Sequence, residues 1–143
     1  MTVGVPPVSG GGPALMDQSW TLGVAQGRNF TYQSGITAKA SGTQAAATQI
    51  SVGAFLYEVD TCANDADSVK LFPAIPGHSF VIANVTGHTL DIYASDGYNG
   101  VTGSSAADKI NNSSNATAYS LTTYQTALFM CGKAGIWQAI KTA

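Results

Sequence analysis

The chain of 143 residues has little charge, two cysteines and two histidines. Charged residues make up 10% of it, against roughly a quarter in a typical soluble domain. The six basic residues are scattered singly and the net charge is -2, so the sequence offers no basic surface for a nucleic-acid backbone. Direct binding to DNA or RNA is therefore not expected.

Long apolar runs are also missing. No run reaches the length of a membrane span, and residues 1–12 lack the basic start and apolar core of a secretion signal. We therefore expect no membrane association, and synthesis and assembly in a cytoplasm. In such a reducing compartment Cys62 and Cys131 are expected to be two buried thiols, although the sequence also allows a disulfide between them.

Patterns that carry chemistry are absent as well. His78 and His88 each follow a glycine, and no paired Cys or His spacing accompanies them as a zinc site requires. Asp65 and Asp67 lie in a short turn without the full pattern of a calcium loop. The sequence has neither a GxSxG nucleophile motif nor a phosphate-binding glycine loop. We predict no metal, no cofactor and no enzymatic activity.

Small neutral residues take the place of charge. Ala, Gly, Ser and Thr supply almost half of the chain, so the surface is expected to be small-residue and poorly hydrated. Such a surface is typical of a protein that is packed against other proteins. The alternative is a monomer that is solvated by its hydroxyl and amide groups.

Short alternating apolar segments dominate the second half. Alternation in residues 80–82 and 90–92 flanks the polar segment 84–88, which predicts a β-hairpin. Pro73 and Pro76 should end a preceding strand, because proline cannot donate to a sheet ladder.

Further strands are predicted at 50–60, 119–131 and 135–140. The last two form a hairpin across a glycine-containing turn, with both faces partly apolar, as in a hairpin covered on two sides. No convincing helix appears. The fold is predicted to be all-β, an antiparallel β-sandwich or small barrel of about six to eight short strands.

Residues 1–34 differ from the β domain predicted at 35–143. Prolines and a triple glycine prevent regular structure there, yet large apolar side chains recur. We predict an extended N-terminal arm that docks on a neighbouring subunit, the alternative being a strap folded on its own domain. The predicted partner-binding anchors are Leu15, Trp20, Leu22, Phe30 and Tyr32.

Several segments together carry a family resemblance. They are GITA at 35–38, DSVKL at 67–71, PAIPG at 73–77, VIAN at 81–84, LDIYA at 90–94, DKIN at 108–111, and the ending FMC at 129–131 with GIW at 135–137. With these segments the chain resembles a module of tailed-bacteriophage virion proteins, found in capsid decoration (cement) proteins and head fibres. The arm lies outside the resemblance.

The resemblance implies a non-enzymatic structural protein that decorates the exterior of a phage head and bridges coat subunits. The implied partners are the major capsid protein lattice and further copies of the chain, in a homotrimer. The alternative is a head- or tail-fibre module that recognises a host-surface glycan. Its exposed recognition loop would lie in residues 95–115 and use Asp96, Tyr98 and Asn99. The chain has no room for a long fibre shaft, which favours the decoration protein.

Overall fold

The computed structural model describes residues 31–40, 43–96, 107–114 and 116–143. Within these ranges every regular element is a β-strand. The ten strands are β1 (Tyr32–Thr37), β2 (Thr48–Gln49), β3 (Leu56–Thr61), β4 (Asp67–Lys70), β5 (Ser79–Asn84), β6 (Leu90–Tyr93), β7 (Lys109–Ile110), β8 (Tyr119–Leu121), β9 (Thr126–Lys133) and β10 (Ile136–Lys141). The all-β prediction is therefore confirmed for this part of the chain.

The strands form two sheets, between which the chain alternates. One sheet has six strands in the order β1-β3-β5-β9-β10-β7, and the other has four in the order β2-β4-β6-β8. Neighbours among β1, β3 and β5 are parallel, as are neighbours among β2, β4 and β6. The first six strands thus make three successive coils of a β-solenoid-like arrangement. This differs from the antiparallel sandwich or barrel that we predicted.

The predicted hairpin across 84–88 is wrong, because β5 and β6 lie in different sheets. Side-chain bonds at the corner redirect the chain. Asn84 Oδ1 accepts from the backbone N–H of Thr86 at 3.1 Å and from its hydroxyl at 2.8 Å, while Asn84 Nδ2 donates to the His88 carbonyl at 2.8 Å. Such bonds of an asparagine to its own following backbone form a turn. The turn carries the chain across to the other sheet.

The predicted strand 119–131 is divided in the same way. Strand β8 pairs antiparallel with β6 in the small sheet, whereas β9 pairs antiparallel with β5 in the large one. The final hairpin of β9 and β10 is confirmed, with an irregularity between Met130 and Lys133. Strand β4 also lies close to its prediction, upstream of Pro73.

An aromatic cluster fills the space between the sheets. Phe80 of β5 is its centre, because its ring contacts four others: Tyr57 at 5.6 Å, Phe72 at 4.9 Å, Phe129 at 5.2 Å and Trp137 at 4.9 Å between centroids. Three of these contacts are edge-on or tilted, the geometry that aromatic quadrupoles favour. Aliphatic side chains of the small sheet, such as Leu90 and Ile92, complete the same core.

Replacing Phe80 by alanine should lower the free energy of unfolding by about 3–5 kcal/mol, since the change removes a fully buried ring and leaves a cavity. Chemical denaturation measures this. The exposed Val52 provides the control, because Val52→Ala should change stability by less than about 0.5 kcal/mol. If Phe80→Ala lowered the free energy of unfolding no more than Val52→Ala, the Phe80 ring would not be the centre of the core.

Candidate functional site

An apolar row crosses the outer face of the six-stranded sheet. The strand registers place Tyr32 opposite Leu56, Leu56 opposite Val81, Val81 opposite Leu128, and Leu128 opposite Ile140. These five residues, here named the apolar row, belong to five adjacent strands. At about 4.8 Å between strands the row is roughly 19 Å long.

The direction of the row follows from the alternation of side chains along a strand. Tyr57, Ile82 and Phe129, the next residue in each of three strands, are fully buried in the core. Their neighbours in the row must therefore point away from it. The three residues in the middle of the row are half-buried, while Tyr32 and Ile140 at its ends are 56% and 63% exposed.

A shallow depression lies beside one end of the row. It is lined by Val81, Thr126, Leu128, Ile140, Lys141 and Thr142. Lys141 directs its ammonium group away from the row, since Nζ donates to the Ser120 carbonyl at 2.7 Å and lies 5.4 Å from the Tyr119 ring centre. The depression therefore presents a mainly apolar surface.

At the other end of the row two carboxylates are held by local bonds. The Tyr32 hydroxyl donates to Glu58 Oε1 at 2.6 Å, and the Gly35 backbone N–H donates to the Asp60 carboxylate. The bond to Glu58 is the main cause that raises the pKa of Tyr32. Glu58 thus borders the row, whereas Asp60 lies four residues from Leu56 along β3. The row itself contains no side chain that is charged at neutral pH.

Asp108 is the most perturbed acid in the described residues. Its side chain is fully buried. Oδ2 accepts from the Ala74 backbone N–H at 2.6 Å, and Oδ1 has no hydrogen-bond partner among the described residues. The Asp108 backbone N–H donates to the Ser95 carbonyl at 2.9 Å. Burial raises its pKa to about 6. Asp108 ties together segments that are distant in the sequence, which is a structural role.

Both cysteines are buried and unbonded to each other, as predicted. Cys62 Sγ lies 3.3 Å from the Asn64 carbonyl and Cys131 Sγ 3.2 Å from the Lys133 carbonyl. Burial raises the pKa of both thiols, so the reactive thiolate is disfavoured. Across the described ranges, no three His, Cys, Asp or Glu side chains come together as a group that could hold a metal ion.

The structure places two of the predicted site residues. Tyr32 lies in β1, so the sheet begins within the segment assigned to the arm. Asp96, a member of the predicted recognition loop, forms an ion pair with Lys70 at 2.8 Å. The other arm anchors and recognition residues, Leu15, Trp20, Leu22, Phe30, Tyr98 and Asn99, lie outside the described residues.

Sequence reasoning did not find the apolar row. One signal for the row was present, because the final hairpin is partly apolar on both faces. Leu128 therefore belongs to an apolar face on the other side of the strand from the core-facing residues. The remaining members lie on strands far apart in the chain, and only the register of the parallel coils brings them into line.

Comparison with known proteins adds no relative: no protein-family model, curated protein or solved structure matches this chain. Among the described residues, no helix is long and apolar enough to cross a membrane.

Asp108 should make stability depend on pH. Its pKa is 3.8 in a model peptide and about 6 in the folded chain, so the folded state binds the proton more tightly. The stabilisation is complete below about pH 4 and is lost as the pH rises through about 6, a difference of roughly 3 kcal/mol. Asp108→Asn cannot ionise, yet its amide oxygen can still accept from Ala74. It should therefore be the more stable protein at pH 8.

Denaturation from pH 4 to 8 tests this expectation. The difference in stability between wild type and Asp108→Asn should change by roughly 2–3 kcal/mol across that range. Asp96→Asn, at a partly exposed carboxylate, serves as the control and should leave the Asp108 transition in place. Parallel curves for wild type and Asp108→Asn would show that Asp108 does not titrate in this way.

Proposed function

We propose that this protein is a non-enzymatic structural protein of a phage capsid, which decorates the head exterior and bridges coat subunits. The observation that supports the proposal most directly is the apolar row. Solvated sheet faces normally carry polar residues at alternate positions, and contiguous apolar surface on the outside of a soluble domain marks an interaction site. The row is assigned as the surface that contacts the major capsid protein lattice.

The geometry of the row suits a repeating flat partner. The five side chains lie in line across a hydrogen-bonded sheet with a shallow depression at one end, so they form an extended surface rather than an enclosed pocket for a small molecule. Because the row carries no charge, binding would depend on apolar contact, with about 25 cal/mol per Å² of buried apolar area. Many copies on one lattice would then stabilise the shell together, because each bound copy favours the assembled state by mass action.

Additional contacts are proposed from the sequence. The arm, with anchors at Leu15, Trp20, Leu22, Phe30 and Tyr32, would reach a neighbouring subunit, and the chain would associate as a homotrimer. Tyr32 is a member of both proposed surfaces, since it is an arm anchor and the first residue of the apolar row. The proposed location is the virion, on the outside of the head, after assembly in the host cytoplasm.

Ile140→Lys should weaken binding to heads about tenfold or more, because it places a charge at an exposed end of the row without disturbing the core. Co-sedimentation with DNA-emptied heads of the phage that encodes the chain measures the affinity. Val52→Lys is the matched control: Val52 is equally exposed but lies outside the row, so its replacement should leave binding unchanged.

Equal binding by wild type, Ile140→Lys and Val52→Lys would remove the row from the interface. Failure of the wild-type protein to bind heads, together with binding to glycans of the host surface, would instead support a fibre module.

A further inference from the structure

Tyr124 has an unfavourable backbone conformation for its side chain. It lies in the turn between β8 and β9 with φ at 60°, in the left-handed region. Glycine adopts this region freely and asparagine tolerates it, whereas a bulky aromatic residue there is a genuine outlier. Outliers of this kind persist only where the surrounding structure fixes them, and they concentrate at binding sites.

Two amide side chains fix the turn. Asn84, which is almost fully buried, donates from Nδ2 to the carbonyls of Leu121 and Thr122 at 3.1 Å each. Gln125 Oε1 accepts from the Thr122 backbone N–H at 2.9 Å, and Gln125 Nε2 donates to the Thr142 carbonyl at 2.9 Å. Bonds from two sides therefore hold the backbone on which Tyr124 stands.

The fold gains little from the ring itself. Tyr124 is 71% exposed, more than any other large hydrophobic residue that the structure describes. Its ring takes part in none of the aromatic contacts that build the core around Phe80. Glycine would satisfy this turn with less strain. The residue type at position 124 is thus better explained by a contact outside the chain than by a contact within it.

The residues that flank Tyr124 in the turn, Thr122, Thr123 and Gln125, carry no charge. Strands β5 and β9 pair Ala83 with Thr126, and the Asn84 N–H donates to the Gln125 carbonyl at 2.9 Å. Val85, which follows Asn84 at the end of β5, is also exposed. The two amides beside the turn, which a sugar would need as hydrogen-bond partners, are already bonded within the chain. The turn therefore offers a partner an exposed aromatic ring rather than free amide groups, which favours an apolar protein pocket over a glycan.

We propose that Tyr124 is an anchor that inserts into an apolar pocket of the coat subunit. This inference rests on the proposed function, because the partner is the same lattice. Tyr124 lies two residues before β9, the strand that carries Leu128 of the apolar row, so a partner seated on the row would lie near it. A tyrosine side chain has few torsions to order on binding, and aromatic anchors commonly dominate interface energy.

The test separates binding from folding. Tyr124→Gly removes the ring and relieves the backbone, so its thermal midpoint should be at least that of wild type, while its affinity for DNA-emptied heads should fall about tenfold or more. Ala66→Gly is the matched control, because Ala66 has φ at 71° and no large side chain. It should relieve the backbone in the same way and bind heads like wild type.

Each outcome has a distinct meaning. If wild type binds heads and Tyr124→Gly binds equally well, the anchor is refuted while the decoration function stands. If wild type does not bind heads, both are refuted. If Tyr124→Gly keeps its affinity for heads but loses affinity for host-surface glycan, the residue serves a sugar and the assignment of its partner is wrong.

Discussion

The contact of Phe80 with four aromatic rings is the interaction on which the rest of the structure depends. Its ring meets side chains from β3, β9, β10 and the segment after β4, so that one residue joins elements that are far apart in the chain. Because the Phe80 side chain points into the core, the alternation of side chains along β5 fixes the direction of each neighbouring side chain. Ile82 must also face inward, and Val81 must face outward.

The register between paired strands extends this constraint on side-chain direction to the neighbouring strands. Because Val81 is paired with Leu56 on one side and Leu128 on the other, those two residues also face outward. The fold requires only that the side chains on the inner face of these strands be buried. It does not require the outward positions to be apolar, and serine, threonine or lysine would serve a solvated face as well. The apolar character of the row is therefore the basis of the interface that we propose.

Local patterns predicted some of the strands, although the strand predicted at 50–60 begins only at Leu56 and the strand predicted at 119–131 is divided. The final hairpin was visible in its two alternating runs and intervening glycines, and the strand before Pro73 in the loss of a donor at proline. The segment 84–88 shows why the assignment of strands to sheets could not be predicted from the sequence pattern. A polar break between alternating runs suits a hairpin and a crossing between sheets equally, and only the bonds made by Asn84 decide between them.

The candidate site was harder to predict for the same reason. Each member of the apolar row is an ordinary strand residue in its own segment, and the row appears only when parallel coils set Tyr32, Leu56 and Val81 side by side. Asp108 lies in a stretch rich in Gly, Ser and Asn, where nothing in the pattern indicates burial. Tyr124 reads as one more aromatic strand residue until its backbone conformation is known.

The proposed contact between the apolar row and the coat lattice is tested most directly by cryo-electron microscopy. The map would be of DNA-emptied heads of the phage that encodes the chain, incubated with the purified protein. We expect density for the β domain on the outside of the shell, with the outer face of the six-stranded sheet and the Tyr124 turn against coat subunits. Bound copies that contact the shell through the four-stranded sheet, with the apolar row in solvent, would contradict it.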